Sequence, residues 1–370
     1  MAFYKVEHLL KLKTPLGKKT TKSSSRNQQP SQWANWKIIA ALAGVFFVYL
    51  FYQVFIASNV RISTDKYCVY ISPRSKAGEI GSELADKEII SSGLSFRILA
   101  YFRGFKTCKS GLYEVDNGWN NWQLISHLKN DRPKKARAIE IPELRNRNKL
   151  FPYLSQSYKL RADSLRKLCR DTLFLHSFSN LGRSSVYCMF LPGVYYMEEG
   201  LSEREFIKRM YAEYQFFWNE ERLTKAKELE LTPEEVGVLA SIVYSETKNQ
   251  EEMPVIAGVY LNRLEKDMKL ESDPTVIYAN GIYEAKRVYE KHKQKNSPYN
   301  TYKVKGLPPG PIYITPKGVI DATLNYASHD YIFFCAKSDS SGCHSFASSY
   351  EEHKKNAEDY HNFLDQRRVK

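Results

Sequence analysis

Hydrophobic and polar positions divide the chain into stretches of different period. Positions 1–37 are rich in Lys, Ser, Gln and Asn and carry no apolar repeat, which predicts a disordered tail. From Ile38 to Ile56 the pattern changes abruptly, and only Gln53 is polar in nineteen residues. As a helix that run rises roughly 28 Å, enough to cross the hydrocarbon core of a bilayer. Tyr67, Val69 and Ile71 then alternate as in a strand. Ile80 and Leu84, four apart within Lys76–Lys87, predict a short amphipathic helix, and a second helix runs through Phe96 to Phe102. GLYEV reads as another strand and NNWQLISHLKN as another helix, so residues 60–132 are expected to form a small α+β unit. The segment AIEIPEL starts a new strand near Lys135, and residues 135–230 form a mostly helical connecting region interrupted by MFLPGVYYM. Residues 231–370 are densely patterned. Two helices, a turn at Asp273-Pro274-Thr275, a Gly/Pro loop, a helix at Lys317–Asn325 and a closing hairpin and helix are expected there. The predicted fold class is α+β, with one N-terminal transmembrane helix at 38–56 and a mixed α/β domain at the C-terminal end; no internal repeat is visible.

Composition changes this picture in two places. The chain has 370 residues with 26 Tyr and 19 Phe, ample for a packed core, which argues against global disorder. Its formal charge of +14 would suggest a nucleic-acid binder, but half of that excess lies in residues 1–37, where eight Lys and Arg face Glu7 alone. A basic flank beside an apolar span is the signature of topology: the tail is expected in the cytoplasm and residues 58–370 outside. Trp33 and Trp36 stand where an aromatic belt would lie, and the long tail and long apolar run argue against a cleavable signal peptide. The six cysteines have neither CxxC nor zinc spacing. Cys335 and Cys343 flank the predicted hairpin and are the best placed to pair; the alternative is two small buried residues.

The chemistry concentrates in LTPEEVGVLASIVYSETK. Thr232 suits an N-cap, Pro233 the first helical position, and Glu235 completes a capping box. Val236, Leu239, Val243 and Glu246 then fall on one helix face, so an apolar stripe ends in a carboxyl group. Burial would raise the pKa of that carboxyl and suit it to general acid catalysis in a glycosidase. The competing reading is an acid paired with a nearby cation at a helix end. Downstream, Asn262, Thr275, Tyr299, Asn300 and Tyr302 can hydrogen-bond sugar hydroxyls, and the Gly306–Pro311 loop is stiffened by three prolines. Asn262 and Thr275 could equally be caps. Asp273 reads as a turn acceptor or a second acid, His344 as a substrate contact or a hairpin residue, and His353 as a surface residue. The basic stretch KRVYEKHKQK is expected to be a solvated helix face. No Walker loop, HExxH or GxSxG motif occurs.

Taken in order, ASIVYSET, VYLNRL, DPTVIY, SPYNTYKVKGLPPGPI and HSFASSYEEH resemble the YceG-like family of endolytic lytic transglycosylases. The resemblance covers roughly residues 60–370 and is densest over 235–355. It implies a LysM-like subdomain at 60–132, a catalytic domain at 231–370 and Glu246 as the catalytic glutamate. Many relatives carry an acidic residue at the position of Tyr244, so Glu246 is here the one carboxylate of its motif. The family's FPDTY-like stretch reads FLPGVYYM, and its Gly-Trp after the IPE strand reads Leu144-Arg145. The implied activity is cleavage of the β-1,4 bond between N-acetylmuramic acid and N-acetylglucosamine, leaving 1,6-anhydro ends. It implies no metal or organic cofactor. The apolar span and the charge distribution predict an inner-membrane location and no nucleic-acid partner, and a cutter held there would meet newly made strands and peptidoglycan synthases. An inactive glycan-binding scaffold and a hydrolytic muramidase remain as alternatives.

Overall fold

The computed structural model describes residues 32–285, 287–339 and 341–366 of the 370-residue chain. Helix α1 (Gln32–Phe55) includes the apolar run, and its stretch Trp36–Phe55 is long and apolar enough to cross a membrane. Most of the expected disordered tail, residues 1–31, lies outside the described residues. Its last six are helical, because the helix starts at Gln32 rather than after Lys37.

The unit that begins at Gln53 contains two hydrophobic cores. The first gathers Val54 to Leu128 around β1 (Lys66–Ile71), α2 (Ala77–Asp86), α3 (Gly93–Phe102), β2 (Gly111–Asp116) and α4 (Asn121–Asn130). β1 and β2 pair antiparallel, from Lys66 opposite Asp116 to Ile71 opposite Gly111, and Val69, Ile71 and Val115 face inward. Asn59 and Asn121, both buried, join through a 2.7 Å hydrogen bond. Asn121 also donates to the Val54 carbonyl at 3.2 Å, which ties the end of α1 into this core.

The second core holds β3 (Ala136–Ile141), α5 (Leu150–Tyr158), α6 (Ala162–Leu168), α7 (Thr172–His176), β4 (Gly193–Glu198), α8 (Glu203–Phe217) and α9 (Glu220–Glu228). It continues through α10 (Pro233–Glu246), α11 (Met253–Glu265), α12 (Asp273–Asn280) and α14 (Lys317–Leu324), with the single turn α13 (Glu290–Lys293) between the last two. The hairpin β5 (Phe333–Ala336) and β6 (His344–Ala347) and helix α15 (Tyr350–Gln366) close the fold. Residues 135–230 and 231–324 thus share one core. The described strands form three two-stranded antiparallel ribbons, β1–β2, β3–β4 and β5–β6.

Helix α10 is the axis of this core. Its capping box forms as the sequence predicts: Thr232 Oγ1 accepts from the Glu235 amide at 3.2 Å, and the Glu235 carboxylate accepts from the Thr232 amide at 2.8 Å. Every residue from Val236 to Val243 is buried, so the helix is enclosed on all sides rather than on one stripe. Two expectations are corrected here. Asp273-Pro274-Thr275 is not a turn but the first turn of α12, where proline suits the position that needs no amide donor. Among the described residues of the KRVYEKHKQK stretch only Glu290–Lys293 are helical, too short for a helix face.

Candidate active site

Glu246 is the last residue of α10, where the enclosed helix reaches a cleft of about 370 Å³. Glu246 keeps some exposure through that cleft, but its carboxyl group is enclosed by protein. Two hydroxyls converge on one of its oxygens. Tyr260 of α11 donates to Oε1 at 2.7 Å, and Ser272, the residue before α12, donates to the same atom at 2.6 Å. Oε2 has no hydrogen-bond partner among the described residues.

The Glu246 pKa is raised above the usual carboxylate range, chiefly because burial disfavours the charged form. The hydroxyls of Ser272 and Tyr260 oppose that shift, the charge of Asp273 adds to it, and His344 weakly opposes it. With Oε1 accepting two hydrogen bonds, the proton of the neutral acid is held on Oε2.

Buried hydroxyls hold this arrangement in place. Thr301 Oγ1 accepts from the Ser272 amide at 3.0 Å and bonds Thr275 Oγ1 at 2.8 Å. Thr275 in turn donates to the Ser272 carbonyl at 2.6 Å. Thr275 and Thr301 have no exposed surface, so they position Ser272 and through it Glu246.

Of the residues expected to meet substrate, Tyr302 and His344 line the cleft with Glu246, and so does Asp273. Tyr302 donates to Asp273 at 2.8 Å. His344 bonds Glu252 through Nδ1 at 3.1 Å, and its amide donates to Glu252 at 2.6 Å. The other four are placed elsewhere. Thr275 is sealed in the hydroxyl network. The Asn262 amide donates to the carbonyls of His329 and Tyr331 at 2.7 and 2.9 Å, fixing the chain that leads into β5. Asn300 is fully buried and donates to the carbonyls of Lys293 and Lys295 at 2.8 and 2.7 Å, clamping its own loop. Tyr299 accepts from Arg147 at 2.8 Å and packs on Tyr278, with ring centroids 4.7 Å apart. These polar groups are already used by backbone or a buried cation, so they shape the site without facing the cleft. His353 departs from its expected surface position: it lines the cleft and stacks on Phe333 with centroids 5.0 Å apart.

Residue patterns missed Tyr260, Ser272 and Glu252. Tyr260 sits within VYLNRL, and its phase on α11 could have marked it as buried. Ser272 and Glu252 carried no signal, because their partners lie 26 and 92 residues away in the chain. The cysteines of the hairpin are not bonded to one another: Cys335 lies opposite Ser345, and Cys343 accepts from Asn249 at 3.5 Å.

A second depression opens beside the cleft, at Ser245 and Pro274, the immediate neighbours of Glu246 and Asp273. Tyr278, Tyr283 and Tyr313 wall it, and Arg145 and Lys248 supply positive charge. Lys248 Nζ lies 3.0 Å from the Tyr244 ring centroid, and burial lowers its pKa to about 8. The Tyr244 hydroxyl bonds the Glu143 carboxylate. A carboxylate therefore does stand beside position 244, contributed by the segment after β3 rather than by the SET motif.

The Gly306–Pro311 loop seats against the same region. A Cβ on Gly310 would lie 2.3 Å from the Ser184 carbonyl oxygen, so only glycine lets the loop approach. Arg147, buried, bridges Ser184 and Pro311 by donating to both carbonyls at 3.0 and 2.9 Å.

The profile of the YceG-like family matches residues 69–359. The endolytic murein transglycosylase of Bacillus subtilis (strain 168) is 26% identical over 306 residues, 79% of this chain and 84% of that one. The endolytic murein transglycosylase of Streptococcus pneumoniae serotype 2 (strain D39) is 26% identical over 346 residues, 85% of this chain but 62% of the longer relative. A crystal structure of a YceG-like protein from Listeria monocytogenes aligns with a TM-score of 0.50 and 25% identity, over 79% of this chain and 98% of that one. Since the matched region takes in the cleft and nearly all of both cores, the chain belongs to the YceG-like family.

Proposed function

We propose that this chain is a membrane-held lytic transglycosylase that cleaves peptidoglycan glycan strands internally, as its curated relatives are named to do. The observation that carries the reading is the Glu246 carboxyl in the cleft: its pKa is raised by burial, its Oε1 accepts two hydrogen bonds, and its Oε2 has no partner among the described residues. In the proposed reaction Oε2–H protonates the oxygen that links N-acetylmuramic acid to N-acetylglucosamine, and the C1–O bond breaks. The carboxylate then accepts the proton of the muramic acid C6 hydroxyl as that oxygen attacks C1. The product is a 1,6-anhydro end, and one carboxyl group serves first as acid and then as base. Intramolecular attack gains from effective molarity, so no second carboxylate has to activate water. Tyr302, Asp273 and His344 are the proposed substrate-facing groups. The β1-α2-α3-β2 unit is read as a LysM-like module, and α1 as a single-pass anchor with the catalytic unit outside the membrane.

A second reading rests on Asp273, a carboxylate in the same cleft that could activate water as in a hydrolytic muramidase. Mass spectrometry of products from purified glycan strands separates the two, because hydrolysis adds one water that the anhydro product lacks. Anhydro-ended fragments from the wild type and their loss in Glu246→Gln are the expected result. Unchanged anhydro product from that variant would overturn the assignment of Glu246, and hydrated ends would favour the muramidase.

A further inference from the structure

Helix α3 is apolar on both of its faces. Phe96, Leu99 and Ala100 enter the first core, as any amphipathic helix would require. The opposite face carries Leu94, Ile98, Tyr101 and Phe102, spaced as i, i+4, i+7 and i+8 and therefore aligned along one side. Tyr101 is 83% exposed, Phe102 69% and Leu94 60%, so the described chain leaves most of their surface uncovered. An all-round apolar helix is normally enclosed. The patch extends onto α4, where Trp122 is half exposed and the Arg103 guanidinium lies 3.9 Å above its ring.

Two further observations indicate what covers this face. The Phe102 ring lies 6.4 Å from that of Phe55, the last residue of the apolar helix α1, so the patch adjoins the point where the candidate span ends. Residues 89–113 also contain Arg97, Arg103, Lys106 and Lys109 and no Asp or Glu; Arg97, Lys106 and Lys109 are exposed. Apolar and aromatic side chains rimmed by Lys and Arg suit the boundary between acyl chains and anionic head groups.

We infer that the outer face of α3, with Trp122, is a membrane-surface contact that lies in the head-group region of an anionic bilayer and holds the small unit against it. This goes beyond a single-pass anchor. A span alone leaves the domain free to swing on its tether, whereas a second contact fixes its orientation and keeps it beside the bilayer. The inference rests on the anchoring proposed for α1, and the test separates the two.

The full-length chain is reconstituted in nanodiscs containing phosphatidylglycerol and a lipid with a diazirine near the glycerol end of its acyl chain. After photolysis, adducts are mapped by peptide mass spectrometry. The expected result is labelling of Trp36–Phe55 together with α3 and Trp122, the latter weaker in purely phosphatidylcholine discs. In Leu94→Ser/Tyr101→Ser/Phe102→Ser the α3 and Trp122 adducts should disappear while those of α1 persist. The substituted side chains are exposed, and an unchanged melting temperature verifies that the unit still folds. Adducts confined to α1 would overturn the surface contact and leave the anchor standing. Cross-links from α3 to a second copy of the chain in place of lipid would overturn it too. Adducts nowhere would overturn both.

Discussion

Replacing Ser272 with Ala removes one of the two hydroxyls that donate to Glu246 Oε1, at 2.6 Å, and leaves the backbone held by Thr301 and Thr275. That hydroxyl stabilises the carboxylate more than the neutral acid and so works against the rise that burial imposes. A hydrogen bond to a charged group contributes about 1.5–3 kcal/mol, of which the neutral acid retains a part. A difference of roughly 1.4 kcal/mol between the two protonation states corresponds to about one pKa unit. Ser272→Ala should therefore raise the Glu246 pKa further. The proposed reaction begins with Glu246 protonated, so kcat/KM is expected to fall as pH rises through this pKa. The assay is kcat/KM for release of anhydro-ended fragments as a function of pH. The falling limb should move to higher pH, and Tyr260→Phe should move it in the same direction. A merely structural role for Ser272 would lower the plateau and leave the limb where it was. A limb that stays in place in both variants, or moves to lower pH, would refute the coupling of these two hydroxyls to the catalytic acid.

Four further outcomes are expected. Glu246 has a folded pKa above its unfolded one, so its ionisation is unfavourable to the folded state; that cost is absent below the unfolded value near about 4.3 and grows as pH rises through the folded pKa. Glu246→Gln should accordingly match the wild type in melting temperature near about pH 4 and exceed it at neutral pH; a variant that gains nothing between the two would contradict the buried acid. Asn300→Ala strands the Lys293 and Lys295 carbonyls and should cost about 1–3 kcal/mol in denaturant unfolding while leaving KM nearly unchanged. Tyr302→Phe should do the reverse, lowering kcat/KM with little change in stability, and a matching pair of effects would refute their separation into clamp and cleft residue. Gly310→Ala places a methyl against the Ser184 oxygen and should destabilise by about 1–3 kcal/mol, read from the denaturation midpoint.

What the sequence determined by itself is local in its physics. The apolar run before Ile56, the capping box at Thr232 and Glu235, and the 3.6-residue phase that places Glu246 beyond Val243 each depend on residues within a few turns of one another. The alternation at Tyr67–Ile71 likewise marks β1 without reference to its partner strand. Tertiary structure decided where polar side chains spend their hydrogen bonds. Asn262, Thr275, Asn300 and Tyr299 have the chemistry of sugar binders, yet backbone carbonyls, a neighbouring hydroxyl and Arg147 already engage them. Ser272 and Glu252 acquire roles only because folding brings them to Glu246 and His344 from distant segments. A donor or acceptor is legible from its residue type, but its partner is set by long-range packing, and the partner decides whether it serves the scaffold or the cleft.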